Sequence, residues 1–245
     1  MATVAITGAS SGIGKAMAWE LARRGNNLVL LARRMDLLQQ LQQEISTKLG
    51  VRVESYELDV AQPDSILPTL EQADKELGGL DCVIANAGIT GVNKTGAGDF
   101  SKDAKVIQVN LIGGMATVDA AARLFRTKGK GTIVGISSVS AFKGIPGSAA
   151  YSASKAGFTN YLDAVRMELK KQKISVLTVH PGFVKTDIAP GMEKRPFVIS
   201  PEKAAKDIVD GIHKGVANTI VPRVPWSVLG RVIPMLPDKV IEKAF

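Results

Sequence analysis

The sequence predicts an α/β fold, a single doubly wound parallel sheet of about seven strands flanked by helices. Two observations carry that expectation. Short apolar, β-rich runs alternate with longer stretches of helical period along the chain, and this order implies parallel pairing with both sheet faces covered. The chemically distinctive residues, in turn, sit just after the runs, where a sheet with right-handed crossovers binds its ligands. The expected strands are Val4–Thr7, Asn27–Leu31, Val53–Leu58, Cys82–Ala85, Thr132–Ile136, Ser175–Val179 and Thr219–Val221. The expected helices are Ile13–Arg24, Leu37–Leu49, Ser65–Leu77, Lys102–Phe125, Ala153–Lys171 and Glu202–Lys214. There is no repeat, low-complexity stretch or linker, so residues 1–245 are expected to form one domain.

Composition narrows the function classes. Apolar residues make up 45% of the chain and charged ones 22%, the balance of a soluble globular enzyme. No apolar run approaches the ~20 residues of a membrane-spanning helix. The chain enters its first strand with no basic region and apolar core ahead of it, so no secretory signal is expected. The one cysteine, Cys82, lies in an apolar run, which excludes a disulfide framework and suggests a reducing compartment; the expected location is the cytoplasm. The net charge of +8 is spread over dispersed cations, and aromatic residues are only 5%, too few for the stacking platforms of a nucleic-acid binder. No nucleic-acid partner is expected.

The first strand runs into Gly8-Ala9-Ser10-Ser11-Gly12-Ile13-Gly14 and then a helix. Glycines here allow a tight turn with positive φ and let backbone N–H groups approach a pyrophosphate at the helix N-terminus. The end of the second strand bears on which dinucleotide is held. A carboxylate there would take the adenosine ribose 2′-hydroxyl, but the chain reads Ala32-Arg33-Arg34. The two arginines are either a solvated helix start or a grip on a 2′-phosphate. Cations are disfavoured at a helix N-terminus, and arginine holds phosphate through a planar fork, so NADP(H) is the expected cofactor.

Asp59-Val60 follows the third strand, where the carboxylate would accept from an adenine amine or cap the helix after Pro63. Asn86-Ala87-Gly88 follows the fourth, a small-residue turn that lets chain and cofactor approach.

Tyr151 and Lys155 are four residues apart, which on a helix puts phenol and ammonium on one face. Ser138 lies upstream, at the end of the fifth strand. A free phenol has a pKa of ~10, and a cation within ~4–6 Å lowers such a value by about one to three units. Tyr151 is therefore expected to serve as general acid or base on a carbonyl or alcohol, its pKa drawn down by Lys155 and the oxidised cofactor. Ser138 is expected to hold the substrate oxygen. Asn110 lies mid-helix, where asparagine is a mediocre choice.

Taken together, Thr7-Gly8…Gly12-Ile13-Gly14, Asp59, Asn86-Ala87-Gly88, Asn110, Ser138, Tyr151…Lys155, and Pro181-Gly182 with Thr186 resemble the short-chain dehydrogenase/reductase family over residues 2 to about 222. The resemblance implies a Rossmann-type fold, a nicotinamide cofactor and a carbonyl/alcohol reaction, and Ala32-Arg33 looks like the NADP-preferring branch. It selects Ser138 over its neighbour Ser137 and gives His180 no catalytic part. It further implies that Asn110 marks a helix distortion holding a water joined to Lys155, that Lys155 also bonds the nicotinamide ribose, and that Pro181, Gly182, Val184 and Thr186 contribute to the cofactor site, Thr186 receiving the carboxamide. Ile220-Val221-Pro222-Arg223-Val224-Pro225 stands where many tetrameric members carry Val-Asp-Gly-Gly. A homodimer through the two long helices is expected, and a tetramer is not.

Residues from about 183 to 199 look like the family's substrate loop, with Phe183, Val184, Ile188, Met192, Phe197, Val198 and Ile199 among Pro190, Gly191 and Pro196. With Val139, Phe142 and Ile145 they suggest a mostly apolar pocket for a small to medium substrate. The extension from about 223 to 245 has three readings: packing on the domain or a dimer partner, a hydrophobic lid, or a membrane-surface helix. For the whole chain, the alternatives to a carbonyl/alcohol oxidoreductase are a fatty-acyl or ketoacyl thioester reductase and a non-catalytic NADP-binding regulator.

Overall fold

The computed structural model describes residues 1–96, 98–186 and 196–244, with backbone alone for 242–244. Seven strands, β1 (Thr3–Thr7), β2 (Asn27–Ala32), β3 (Val53–Glu57), β4 (Cys82–Ala85), β5 (Gly131–Ile136), β6 (Ile174–Pro181) and β7 (Asn218–Val221), form one parallel sheet in the order β3-β2-β1-β4-β5-β6-β7. The chain moves outward from β1 to β3, then crosses back to β4, so the strand order reverses between β1 and β4. That is the crevice where a doubly wound sheet binds its ligand. The sheet is of the doubly wound Rossmann type expected from the sequence.

Helices α1 (Gly12–Arg23), α2 (Met35–Leu49) and α7 (Pro201–His213) cover one face. Helices α3 (Ile66–Glu76), α4 (Phe100–Ile107), α5 (Gly114–Lys128) and α6 (Ala149–Leu169) belong to the other. The period of two in the strands divides the core between them. Val4, Ile6, Leu28 and Leu30 are buried with Met17, Leu38 and Ile208. Ala5, Val29 and Leu31 are buried with Leu70, Phe125 and Phe158.

Two elements differ from the sequence-based expectation in ways that matter for the site. Helix α6 begins at Ala149, not Ala153, so Tyr151 lies inside its first turn. The long helix expected over Lys102–Phe125 runs from Phe100 to Lys128 and contains a π-helical turn, Gln108–Gly113. Such turns accommodate an extra residue per turn and are common at functional sites. Gly113 allows the close approach this one needs, because a β-carbon there would lie 2.6 Å from the Val60 carbonyl oxygen.

Past β7 the chain forms α8 (Arg223–Val232), a 3₁₀ turn and α9 (Asp238–Ala244). Trp226, Ile233 and Ile241 are buried with Val139 in a third, small core, joined by Phe142, Phe183 and Leu229. The extension therefore packs on its own domain, beside the ends of β5 and β6.

Candidate active site

The glycine turn joins β1 to α1. Gly8 and Gly12 have φ of 67° and 55°, values that side chains rarely tolerate. At Gly14 a β-carbon would stand 2.3 Å from the Gly8 carbonyl oxygen and 2.7 Å from Asn86 Nδ2. Ser11 is the N-cap of α1 but makes no side-chain cap, so its hydroxyl leaves the helix's first N–H groups open to an anion. Ile13 packs against the core behind the turn. Thr186 lies over it, with its methyl 3.4 Å from where a Gly12 β-carbon would be.

Arg34 is the N-cap of α2 and turns back to this loop, donating to Ser10 Oγ at 2.9 Å and Ser11 Oγ at 2.8 Å. Arg33 beside it is exposed. The guanidinium and two hydroxyls thus share one exposed corner at the ends of β1 and β2.

Asn86, Ala87 and Gly88 follow β4, and the fold uses them in different ways. Asn86 Nδ2 donates to the carbonyls of Thr7, at 2.9 Å, and Gly8, at 3.3 Å. Its side chain therefore braces the glycine turn from behind. The buried Thr7 hydroxyl donates to Ile84 O and accepts from the N–H groups of Asn86 and Ala87. Gly88 reaches the centre of the site, where a β-carbon would lie 3.3 Å from Asn110 Oδ1 and 3.6 Å from Lys155 Nζ. Asp59 closes a turn at the end of β3 by accepting from Ala61 N–H at 3.0 Å. This local turn engages one carboxylate oxygen, while Val60 packs against the π turn.

Around Tyr151 the fold gathers Ser138, Lys155 and Asn110. Lys155 is 5% exposed and Asn110 is 1% exposed. The Lys155 ammonium donates to Ile136 O at 2.8 Å and lies 5.8 Å from the centre of the Tyr151 ring. Asn110 is held on all sides: Oδ1 accepts from Ile89 N–H at 2.8 Å, and Nδ2 donates to Ile89 O at 2.8 Å and Ser154 Oγ at 3.3 Å. The Ser154 hydroxyl in turn donates to the Tyr151 carbonyl at 2.7 Å. The two neighbouring serines divide their work. Ser137 Oγ donates to Lys155 O and bonds Thr159 Oγ1, clamping α6 to β5. Ser138 Oγ accepts from Ser140 N–H at 3.1 Å, and Ser138 is the side chain that favours the Tyr151 phenolate.

In the protein alone burial pushes the Tyr151 pKa up, and Ser138 works against that rise; the expected acidification draws on the oxidised cofactor as well as on Lys155. Burial also pulls Lys155 down to about 8. Desolvation disfavours the charged form of each group, and at 5.8 Å from the ring the ammonium does not overcome it. His180 is buried against Phe142, its Nδ1 3.3 Å from Ser138 O, and burial lowers its pKa. It braces the serine turn as a neutral ring.

On the substrate side, Val184 bridges to Ile199, and hydrogen bonds between Ile199 N–H and Phe183 O and between Lys185 N–H and Ile199 O join the two ends of the loop. Ile188, Pro190, Gly191 and Met192 lie outside the described residues. At the end of β6, Pro181 is buried and Gly182 donates to Val221 O at 2.7 Å. A β-carbon at Gly182 would fall 2.3 Å from Trp226 Nε1, and the Trp226 ring packs edge-on to Phe183. Two surface grooves, of about 960 and 790 Å³, pass nearby, one along β7 beside His180 and the other between Lys143 and Ile241. Neither is lined by Tyr151 or Lys155. The reactive groups converge beside the grooves, at the C-terminal ends of β4, β5 and β6.

Three supporting residues escaped sequence reasoning: Ser154, Ile89 and the hydroxyl of Thr7. Only Thr7 left a signal, a polar residue ending an otherwise apolar strand. Ile89 acts through its backbone, which no side-chain pattern reports.

Comparison with known proteins agrees with this geometry. Residues 2–196 match the short chain dehydrogenase family. The chain is 36% identical to an uncharacterized oxidoreductase of Myxococcus xanthus, over 99% of this chain and 95% of that one. It is 33% identical to the NADP-dependent 3-hydroxy acid dehydrogenase of Schizosaccharomyces pombe, over 89% and 91%. Among solved structures, a short-chain dehydrogenase from Sphingobium yanoikuyae in complex with NADPH superimposes with a TM-score of 0.85 at 27% identity, covering 100% of this chain and 96% of that one. With its fold and its sequence both matched over most of its length, the chain belongs to the short-chain dehydrogenase/reductase family and is an oxidoreductase that uses a nicotinamide cofactor.

Proposed function

We propose that this protein is an NADPH-dependent oxidoreductase that interconverts a ketone or aldehyde and an alcohol on a small to medium, mostly apolar substrate. The observation that carries the reading is the convergence of Ser138 and the Tyr151 phenol beside the buried Lys155 ammonium, which lies 5.8 Å from the centre of the Tyr151 ring. A hydroxyl pair next to a cation is suited to binding one oxygen and delivering one proton.

The residues present fit the cofactor. A β-carbon at Gly14 would fill the cradle between the Gly8 carbonyl and Asn86, and the first turn of α1 has no side-chain cap. Gly8, Ser10, Ser11, Gly12, Ile13 and Gly14 would receive the pyrophosphate, and Arg34, with Arg33, the 2′-phosphate. Asp59 and Val60 would border the adenine; Ala87, Gly88, Pro181, Gly182, Val184 and Thr186 would enclose the nicotinamide half, with Asn86 supporting the turn. The bound nicotinamide supplies or accepts the hydride. In reduction, Ser138 holds the carbonyl oxygen and Tyr151 donates its proton to it. A phenol with a raised pKa keeps that proton until the oxygen becomes basic. Lys155 would donate to the ribose hydroxyls, and its ammonium would favour reprotonation of Tyr151 from solvent after the alcohol leaves. Asn110, whose side chain is fully engaged, positions the Ile89 backbone and α6.

The NADP-dependent relative and the NADPH complex among similar structures support the cofactor choice. Ile112, Ala153 and Ala156, small or apolar and exposed on the π turn and α6, support a homodimer through these helices. The test is NADPH consumption by the purified protein across aldehydes, ketones, hydroxysteroids and acyl thioesters. Turnover of simple ketones, lost in Tyr151→Phe, is the expected result; turnover of acyl thioesters alone selects the thioester reductase, and none with any carbonyl overturns the catalytic reading.

A further inference from the structure

The C-terminal extension has two faces of opposite character. Its inner face holds the buried Trp226, Ile233 and Ile241. Exposed along the extension are Val224 at 78%, Val228 at 64%, Val232 at 41%, Met235 at 83% and Val240 at 44%. These are five of the eleven large apolar side chains exposed among the described residues, gathered in 17 positions. Val228, Val232 and Met235 follow one another at helical spacing, so they form a stripe along α8 and the turn after it. A soluble chain rarely concentrates apolar exposure in this way without a partner for it.

The charges around the stripe identify that partner. Arg223, Arg231 and Lys239 are all exposed. Between Val224 and Val240 the sequence has one acidic residue, Asp238, which is ion-paired with Lys143 at 3.1 Å. The whole chain carries a net charge of +8. An apolar ridge flanked by cations, on a helix with a well-packed reverse face, matches the requirements of a helix lying in the interface of an anionic bilayer. No helix among the described residues is long and apolar enough to cross a membrane, so the contact is peripheral.

We propose that the outer face of the extension, from Val224 to Val240, seats the protein on an anionic lipid surface. The valines and Met235 enter the headgroup boundary while Arg223, Arg231 and Lys239 meet lipid phosphates. Each basic residue near such a surface is worth roughly fivefold in partitioning, so the three together contribute on the order of a hundredfold. The same extension packs with Val139, Phe142 and Phe183 on its inner side, so membrane attachment would hold the substrate side of the domain against the bilayer. This proposal does not depend on the reaction assigned above, because it is read by binding and not by turnover.

The test is co-sedimentation of the intact protein with phosphatidylcholine vesicles, with and without about one-third phosphatidylglycerol, a fraction chosen to give a strongly negative surface. The expected result is pelleting with anionic vesicles only, weakened at high salt. Val228→Asp with Met235→Asp should abolish it, and Arg231→Glu with Lys239→Glu should reduce it by more than tenfold. Both variants should keep the wild-type melting temperature and NADPH affinity, which separates a lost surface from a lost fold. Equal pelleting of wild type and the Val228→Asp/Met235→Asp variant would overturn the proposal, since bulk charge alone would then explain binding. So would no pelleting at low salt, or a vesicle-free shift of that variant to a smaller oligomer in sedimentation velocity, which would assign the face to a second copy.

Discussion

Asn110 and Ile89 are hydrogen-bonded twice, side-chain oxygen to backbone N–H and side-chain nitrogen to backbone carbonyl, each at 2.8 Å. Through this pair the π turn grips the chain just after Gly88, where an added β-carbon would lie 3.6 Å from Lys155 Nζ. Asn110→Leu should leave both Ile89 groups unpaired, at a cost of about 2–4 kcal/mol, a fall in melting temperature of about 5–15 °C for a chain of this size. Thermal unfolding checks this. NADPH titration should show weaker binding in the same variant, because the loop it frees borders the cofactor cleft.

Tyr151→Phe removes only the phenol oxygen and its interaction with Ser138. Turnover should fall by about 10²–10⁴, the range for a positioned proton donor. The dissociation constant for NADPH, measured by calorimetry, should change little.

Arg34 holds both serines of the glycine turn. Arg34→Ala should raise KM for NADPH by about ten- to a hundredfold, the worth of a charge-assisted hydrogen bond or two, and leave KM for NADH nearly unchanged. Ala32→Asp combined with Arg33→Ile should turn the preference toward NADH. Steady-state kinetics with both cofactors reads each outcome.

Lys155 is held by burial at about 8, below its ordinary 10.5. Its charge is complete near pH 6 and is lost as pH rises through 8, so kcat/KM for reduction should decline along that limb. Stability should move the other way. Between about 8 and 10.5 the unfolded chain binds more protons at this position than the folded one, so the contribution of Lys155 to stability rises with pH across that window. A pH–rate profile paired with melting scans over the same range distinguishes loss of the ammonium from loss of the fold.

Gly14→Ala should abolish cofactor binding. The added carbon would stand 2.3 Å from a backbone oxygen, which has no flexible end to move, and overpacking of this kind costs about 1–3 kcal/mol or more. Fluorescence titration with NADPH and a melting curve measure the two effects.

The sheet was legible in the sequence because buried parallel strands must be short, apolar and separated by helices, and each expected strand is found within two residues of its ends. The glycine turn was legible for a similar reason: at Gly8, Gly12 and Gly14 the backbone geometry leaves almost no other choice. What resisted reading was the use of polar atoms. Asn86 lies in the expected loop, yet its amide faces the backbone of β1. Asp59 lies at the expected strand end, yet one oxygen closes its own turn. Spacing reports the proximity of Tyr151 to Lys155 and says nothing of the desolvation both groups undergo in the protein alone. Helix α6 begins four residues before the expected Ala153, so the i, i+4 pairing of Tyr151 with Lys155 holds from the first turn.

The contact between Gly182 and Trp226 ties the fate of two distant positions together. With the indole nitrogen 2.3 Å from where a methyl would project, position 182 can grow only if position 226 shrinks. Trimming the indole alone would instead open a void beneath Phe183. Attempts to diversify the tail for new chemistry will therefore succeed most readily when both sites are randomised in the same library, as a small-and-large couple whose combined volume is conserved.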